Sequence, residues 1–189
     1  MVKKFYFALF LLFGFYINLI QSIFFKEFVF TYYGNELLLG TILFIFFISF
    51  AAGSYLYQNF IKYLKNNFFI YMILTVSLGL LAIKNIEIIR NLRGIADLNP
   101  NALFNLKSII YYTFLIVFPT ALFTGFLFPY SAALIEKYKK EKSLLSVFSF
   151  WTAGFFLCGV LFSFVFYKYF NPIELILSVI LTAAVLLFL

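Results

Sequence analysis

The chain has 189 residues, of which 65% are hydrophobic and only 11% charged, and it carries a net charge of +7 with no histidine. A soluble domain is close to half apolar and a quarter charged, so this composition excludes a water-soluble enzyme core and makes lipid the solvent for most side chains. The lysines cluster at the ends of apolar runs, which assigns the positive charge to membrane topology and anionic headgroups; no nucleic-acid partner is expected.

A membrane-crossing helix needs about 20 mostly apolar residues. Runs of that length without two-residue alternation predict helices, not strands. The expected fold class is therefore all-α, a polytopic membrane helical bundle of about six spans in a single transmembrane domain, 1–189. The first span, Phe5–Phe25, follows Lys3 and Lys4 and could pass for a signal peptide. Gln21, Ser22, Lys26 and Glu27 come next instead of a small-x-small cleavage site, so an uncleaved span is expected. The remaining spans are Leu37–Tyr57, Phe68–Ile89, Ser108–Leu134, Leu144–Tyr167 and Ile173–Leu189. Arg90–Lys107 is the longest connection and is expected to lie along the outer surface. Span four contains Pro119 and Pro129 with Gly125 between them; each proline removes a backbone hydrogen bond, so these three residues mark either a hinge or a fixed packing kink.

An inside amino terminus places eight basic residues on the cytoplasmic side (Lys3, Lys4, Lys62, Lys65, Lys137, Lys139, Lys140, Lys142) and five outside (Lys26, Arg90, Arg93, Lys107, Lys168). Both termini are accordingly expected in the cytoplasm. Tyr32, Tyr33, Tyr55, Tyr57, Tyr63, Tyr167 and Tyr169 suit an interfacial aromatic belt. Small residues at Ala51–Ser54, Ala132-Ala133, Ala153-Gly154 and Gly159 mark close helix contacts within the chain.

Polar groups at membrane depth are the candidates for function, because burying them is costly. Asn18, Gln21 and Ser22 lie in span one, with Asn18 and Ser22 on one face. Their alternative role is hydrogen bonding between helices. Glu27, Asn35 and Glu36 flank the first outer loop, where the carboxylates could attract a cationic ligand; Glu36 also suits a helix amino terminus. Lys84, Glu87 and Arg90, spaced by three, could form an ion-pair ladder on one helix face. Without histidine, with the single Cys158, and with no phosphate loop or metal-ligand cluster, no catalytic residue, cofactor or metal is expected.

The stretch Gly14-Phe15, Gln21, Lys26-Glu27-Phe28, Gly34-Asn35-Glu36-Leu37, Gly40 and Ala52-Gly53-Ser54 resembles the membrane domain of bacterial fused spermidine synthase-like proteins. In that family the first two spans read roughly G-F, Q, R-E-F, G-N-E-L, G and G-S. Pro119 with Thr124-Gly125-Phe126 and Phe128-Pro129 resembles its P and G-x-x-F-P element, and Ala153-Gly154 with Gly159 its later small-residue span. Lys26 replaces the family's Arg, and Trp151 stands where an acidic residue is usual.

In the family a soluble aminopropyltransferase domain usually follows; its nucleotide-binding glycines and polyamine-binding carboxylates are not in these 189 residues. The resemblance therefore implies a membrane module, non-catalytic by itself, in a bacterial inner membrane. It would handle polyamines or anchor a soluble aminopropyltransferase-like partner. The module could be free-standing, one product of a split gene, or part of a longer protein. The six-span plan is also similar to one half of a major-facilitator transporter, which implies a homodimer of halves; a membrane scaffold is the third alternative.

Overall fold

The computed structural model describes residues 2–34, 36–60, 68–96, 104–139 and 143–188. It is a helical bundle, and among the described residues there is no strand. The helices are α1 (Val2–Thr31), α2 (Glu36–Phe60), α3 (Phe68–Ile95), α4 (Leu106–Lys139) and α5 (Ser143–Leu161). A π-helical turn (Phe162–Phe166) carries α5 into α6 (Tyr167–Tyr169), and α7 (Pro172–Phe188) follows. Five helices among the described residues are long and apolar enough to cross a membrane, and α7 is a shorter sixth apolar helix. Large apolar side chains such as Phe44, Phe47, Phe156 and Phe164 point outward from α2, α5 and the π turn. Water would not tolerate so much apolar surface, whereas lipid does.

Four helices overrun their expected carboxyl-terminal ends, α2 reaching Phe60 and α4 Lys139. Helix α1 continues past Phe25 to Thr31, and α3 past Ile89 to Ile95. Charged residues there mark span ends in the sequence, but Glu27, Arg90 and Arg93 are partnered across the α1–α3 pair and Lys26 reaches the Tyr167 carbonyl, so the helices do not need to stop. Arg90 and Arg93 consequently belong to α3 and not to a surface connection. The lysine-rich segment from Lys140 to Lys142, the Asp97–Pro100 stretch, and Lys62, Tyr63 and Lys65 lie outside the described residues.

The most extensive contacts join α2 to α4 and α1 to α5, pairs that are not neighbours in sequence. Glycine explains both. A methyl group at Gly14 would overlap the Trp151 carbonyl, and one at Gly154 would overlap the Leu11 carbonyl. In the other pair, Gly53 sits on the Leu122 carbonyl and Gly125 on the Phe50 carbonyl. Each glycine thus lies over the carbonyl three residues before its partner glycine. The two crossings share one reciprocal geometry. In addition, α3 packs on α4 and α7 packs on α1.

Helix α4 accommodates both prolines without breaking. Pro129 has no N–H to offer the Gly125 carbonyl. The Ser54 hydroxyl of α2 donates to that carbonyl instead, at 2.9 Å. Gly125 is therefore a packing position at the α2–α4 crossing.

Replacing Gly14, Gly53, Gly125 or Gly154 by Ala is expected to destabilise the bundle by about 1–3 kcal/mol, the range for overpacking a filled site. Gly40→Ala and Gly94→Ala, where a methyl meets nothing within 4 Å, are expected to be neutral or stabilising by about 0.5–1 kcal/mol. Unfolding in mixed detergent micelles measures both sets; equal effects in the two would rule out tight crossings.

Candidate functional site

Polar side chains gather at two depths. The first cluster joins the carboxyl-terminal ends of α1 and α3. Glu27 is only 8% exposed. Arg90 donates to it twice, from Nε to Oε2 at 2.9 Å and from Nη2 to Oε1 at 2.6 Å. A planar guanidinium meeting a carboxylate in this forked manner gives both charge and geometric fit. One turn on, Thr31 Oγ1 bonds the Glu27 carbonyl at 2.9 Å and the Ile89 carbonyl at 3.3 Å.

Arg93 reaches from α3 to cap α1. Its Nε and Nη2 donate to the Thr31 carbonyl at 3.1 and 3.0 Å, a group that the helix end leaves without an intrahelical partner. Its guanidinium also lies 3.9 Å from the centre of the Tyr33 ring. Tyr33 has a φ of 57°, the left-handed conformation that disfavours a residue with a Cβ. The chain adopts it to close the helix, with Gly34 N–H bonding the Val29 carbonyl at 2.9 Å. Beside it, the buried Tyr32 phenol is pushed up to about 12 by desolvation and stays neutral. Lys26 turns the other way, to the Tyr167 carbonyl at 3.2 Å and over that ring at 4.3 Å.

The second cluster lies deep in the spans. Asn18 Nδ2 donates to the Phe155 carbonyl of α5, and Ser22 donates to Asn18 Oδ1 at 3.3 Å. Gly159 leaves room for the Asn18 amide. Asn85 of α3 donates to the Ile116 carbonyl at 2.9 Å and to Thr120 Oγ1 at 2.6 Å, both on α4. Thr124 Oγ1 bonds back to the Thr120 carbonyl at 2.8 Å. Gln21 faces a cavity between α1, α2 and α4 that Thr120 and Thr124 also line. The space is about 10 Å³, roughly what one water molecule requires. Gln21 Oε1 has no hydrogen-bond partner there, although the residue is only 8% exposed.

Of the residues expected from sequence to bind a ligand, Glu27 is engaged by Arg90, Asn18 joins α1 to α5, and Gln21 lines the cavity. Asn35 lies outside the described residues. Glu36 opens α2, but its side chain is likewise outside them. The expected ladder of Lys84, Glu87 and Arg90 forms only in part. Lys84 pairs with Glu87 at 2.8 Å, while Arg90 turns to α1 because the buried carboxylate there is the stronger partner. Among the hinge candidates, Pro119 and Pro129 lie within continuous α4 and Gly125 is locked against Phe50. Asn85 and Thr120 escaped the sequence reading, and so did the hydrogen-bonding roles of Ser54 and Thr124. A signal for Asn85 was present: it is an amide inside an apolar run, as Asn18 is. Trp151 lies among Phe50, Phe128 and Phe155 and bridges the two crossing pairs.

Chemically, these groups fasten helices. The described arrangement couples no acid to a base at a cavity of substrate size. No protein-family model, curated protein or solved structure matches the chain.

Removing either partner of the Glu27–Arg90 pair is expected to cost about 1–3 kcal/mol: below the 3–5 kcal/mol typical of a fully buried pair, because the Arg90 side chain is 40% exposed. A double-mutant cycle with Glu27→Gln and Arg90→Gln, read by detergent unfolding, is expected to show strong coupling. Additive effects would show that the pair is incidental.

Proposed function

We propose that this chain is a membrane module, non-catalytic by itself, of the spermidine synthase-like type. It holds a soluble aminopropyltransferase-like partner at a bacterial inner membrane, with both termini on the cytoplasmic side. One observation carries this reading: four polar side chains described at membrane depth, Asn18, Asn85, Ser54 and Glu27, are committed to joining helices. Asn18 is given to Phe155, Asn85 to Ile116 and Thr120, Ser54 to Gly125, and Glu27 to Arg90. Groups held in this way are fasteners and are poorly placed for acid–base work. The pairing also bears on polyamine handling. An incoming ammonium would have to displace a forked guanidinium from Glu27, which leaves Glu36 as the carboxylate to examine.

The isolated chain in detergent is expected to transfer no aminopropyl group from decarboxylated S-adenosylmethionine to putrescine; turnover would overturn the reading. Calorimetric titration with spermidine is expected to give the same result for the parent chain and Glu27→Gln. Saturable binding lost in Glu27→Gln would instead make that carboxylate a ligand site, and a Glu36→Gln variant tests the other.

A second reading is a half-size transporter acting as a dimer, similar to one half of a major-facilitator protein. The matched glycine crossings favour it, because transporters built from inverted repeats place their sites at the repeat interface. The Gln21 cavity lies between α1, α2 and α4, the helices such a repeat would bring together. Proteoliposomes loaded with the chain and given labelled putrescine separate the two readings. Uptake abolished by Gln21→Leu would favour transport, and absence of uptake by well-folded protein favours the anchor.

A further inference from the structure

We propose that the groove between the first turns of α2 and α4 is a binding site for one acyl chain of an anionic phospholipid, with the lipid phosphate at Lys107. The groove follows from the crossing geometry. Helices α2 and α4 touch at Gly53 and Gly125 and part toward their amino-terminal ends. Between them lies a space of about 780 Å³, lined by Gly40, Thr41, Phe44, Lys107, Tyr111 and Phe114 among others. Its walls are apolar apart from the Thr41 and Tyr111 hydroxyls and the Lys107 ammonium. Thr41 has already turned its hydroxyl to the Leu37 carbonyl, at 2.8 Å.

Gly40 supplies a second, independent observation. A glycine inside a helix is a stability loss relative to alanine. At the four crossing positions, close backbone approach accounts for it. At Gly40 nothing in the protein comes within 4 Å of where a Cβ would stand. Its missing side chain instead widens the groove, which gives that glycine a purpose only when something else occupies the space.

Charge selects the occupant. Lys107 lies in the first turn of α4, is exposed, and pairs with no carboxylate among the described residues. From Lys107 to Phe114 the groove runs about 10 Å along α4, at 1.5 Å per residue, a depth suited to the upper part of one leaflet. An ammonium at the rim above an apolar trough matches a phosphate above an acyl chain. A neutral apolar peptide would leave the ammonium without a counterpart.

The test uses a local fluorescence reporter. Trp151 is the chain's only tryptophan, so Trp151→Phe with Tyr111→Trp puts one indole in the groove. The protein is reconstituted in phosphatidylcholine vesicles containing brominated phosphatidylglycerol or brominated phosphatidylcholine, and quenching reports the association of each lipid. Phosphatidylglycerol is expected to associate on the order of fivefold more strongly, the contribution of one lysine at an anionic surface. Lys107→Gln is expected to remove that preference, and Gly40→Leu to reduce the quenching by both lipids. Equal association of the two lipids, or quenching unaffected by Gly40→Leu, overturns the proposal. Native mass spectrometry of the unsubstituted chain in mixed micelles gives a second reading that needs no tryptophan changes. One retained phosphatidylglycerol, lost with Lys107→Gln, supports the site; retention indifferent to headgroup overturns it.

Discussion

Backbone against backbone is the contact on which this bundle rests. In lipid, apolar side chains gain little by leaving their surroundings, so helices associate through close van der Waals packing and interhelical hydrogen bonds. Four glycines deliver that packing, two at each crossing. The two crossings fix α1 against α5 and α2 against α4, and α3 and α7 fill the flanks. Phe50, Phe128 and Trp151 then lock one pair to the other through ring contacts. The same crossings determine the empty space: helices that touch at one level must part at another, which is where the α2–α4 groove opens.

The polar groups follow from the same solvent. A donor or acceptor facing hydrocarbon is expensive unless it finds a partner. Asn18, Asn85 and Ser54 each find a carbonyl on another helix. Pro129 makes one such carbonyl available, so the residue that weakens α4 internally also strengthens its attachment to α2. Glu27 and Arg90 show the ionic version at the end of α1 and α3. Gln21 Oε1, like the Tyr16 hydroxyl and Trp151 Nε1, is buried with no protein partner, and it has room beside it for about one water.

The interiors of the spans were legible because hydropathy alone determines them. Their ends were less so. Lys26, Glu27, Arg90 and Arg93 look like span boundaries in the sequence, yet they lie inside helices, since their partners come from elsewhere in the chain. The small residues at Ala51–Ser54 and Ala153-Gly154 were readable as contact sites. Their pairing was not, because it depends on a register between helices roughly 70 to 140 residues apart. The two glycine crossings have matching dipeptides in sequence, Gly14-Phe15 with Gly125-Phe126 and Ala52-Gly53 with Ala153-Gly154. Their meaning emerges only when each glycine is seen over its partner's carbonyl. The deep polar cluster was half visible: Asn18 and Gln21 stand out in a first span, whereas Thr120 and Thr124 blend into an apolar helix until Asn85 meets one of them.

The pairing of helices distant in sequence sets a timetable for the ribosome. Ser54 and the carbonyl of Gly125 are 71 residues apart, and Asn18 and the carbonyl of Phe155 are 137 apart. At the usual 5–20 residues per second, these delays are roughly 4–14 s and 7–27 s. The α2–α4 crossing can therefore close while α5 is still unmade. Until α5 arrives, α1 waits in the bilayer with the Asn18 amide donor unmatched and only the Ser22 hydroxyl beside its oxygen. Nascent α1 is thus the segment most in need of a temporary companion, from lipid headgroups or from the insertion machinery, before the bundle is complete.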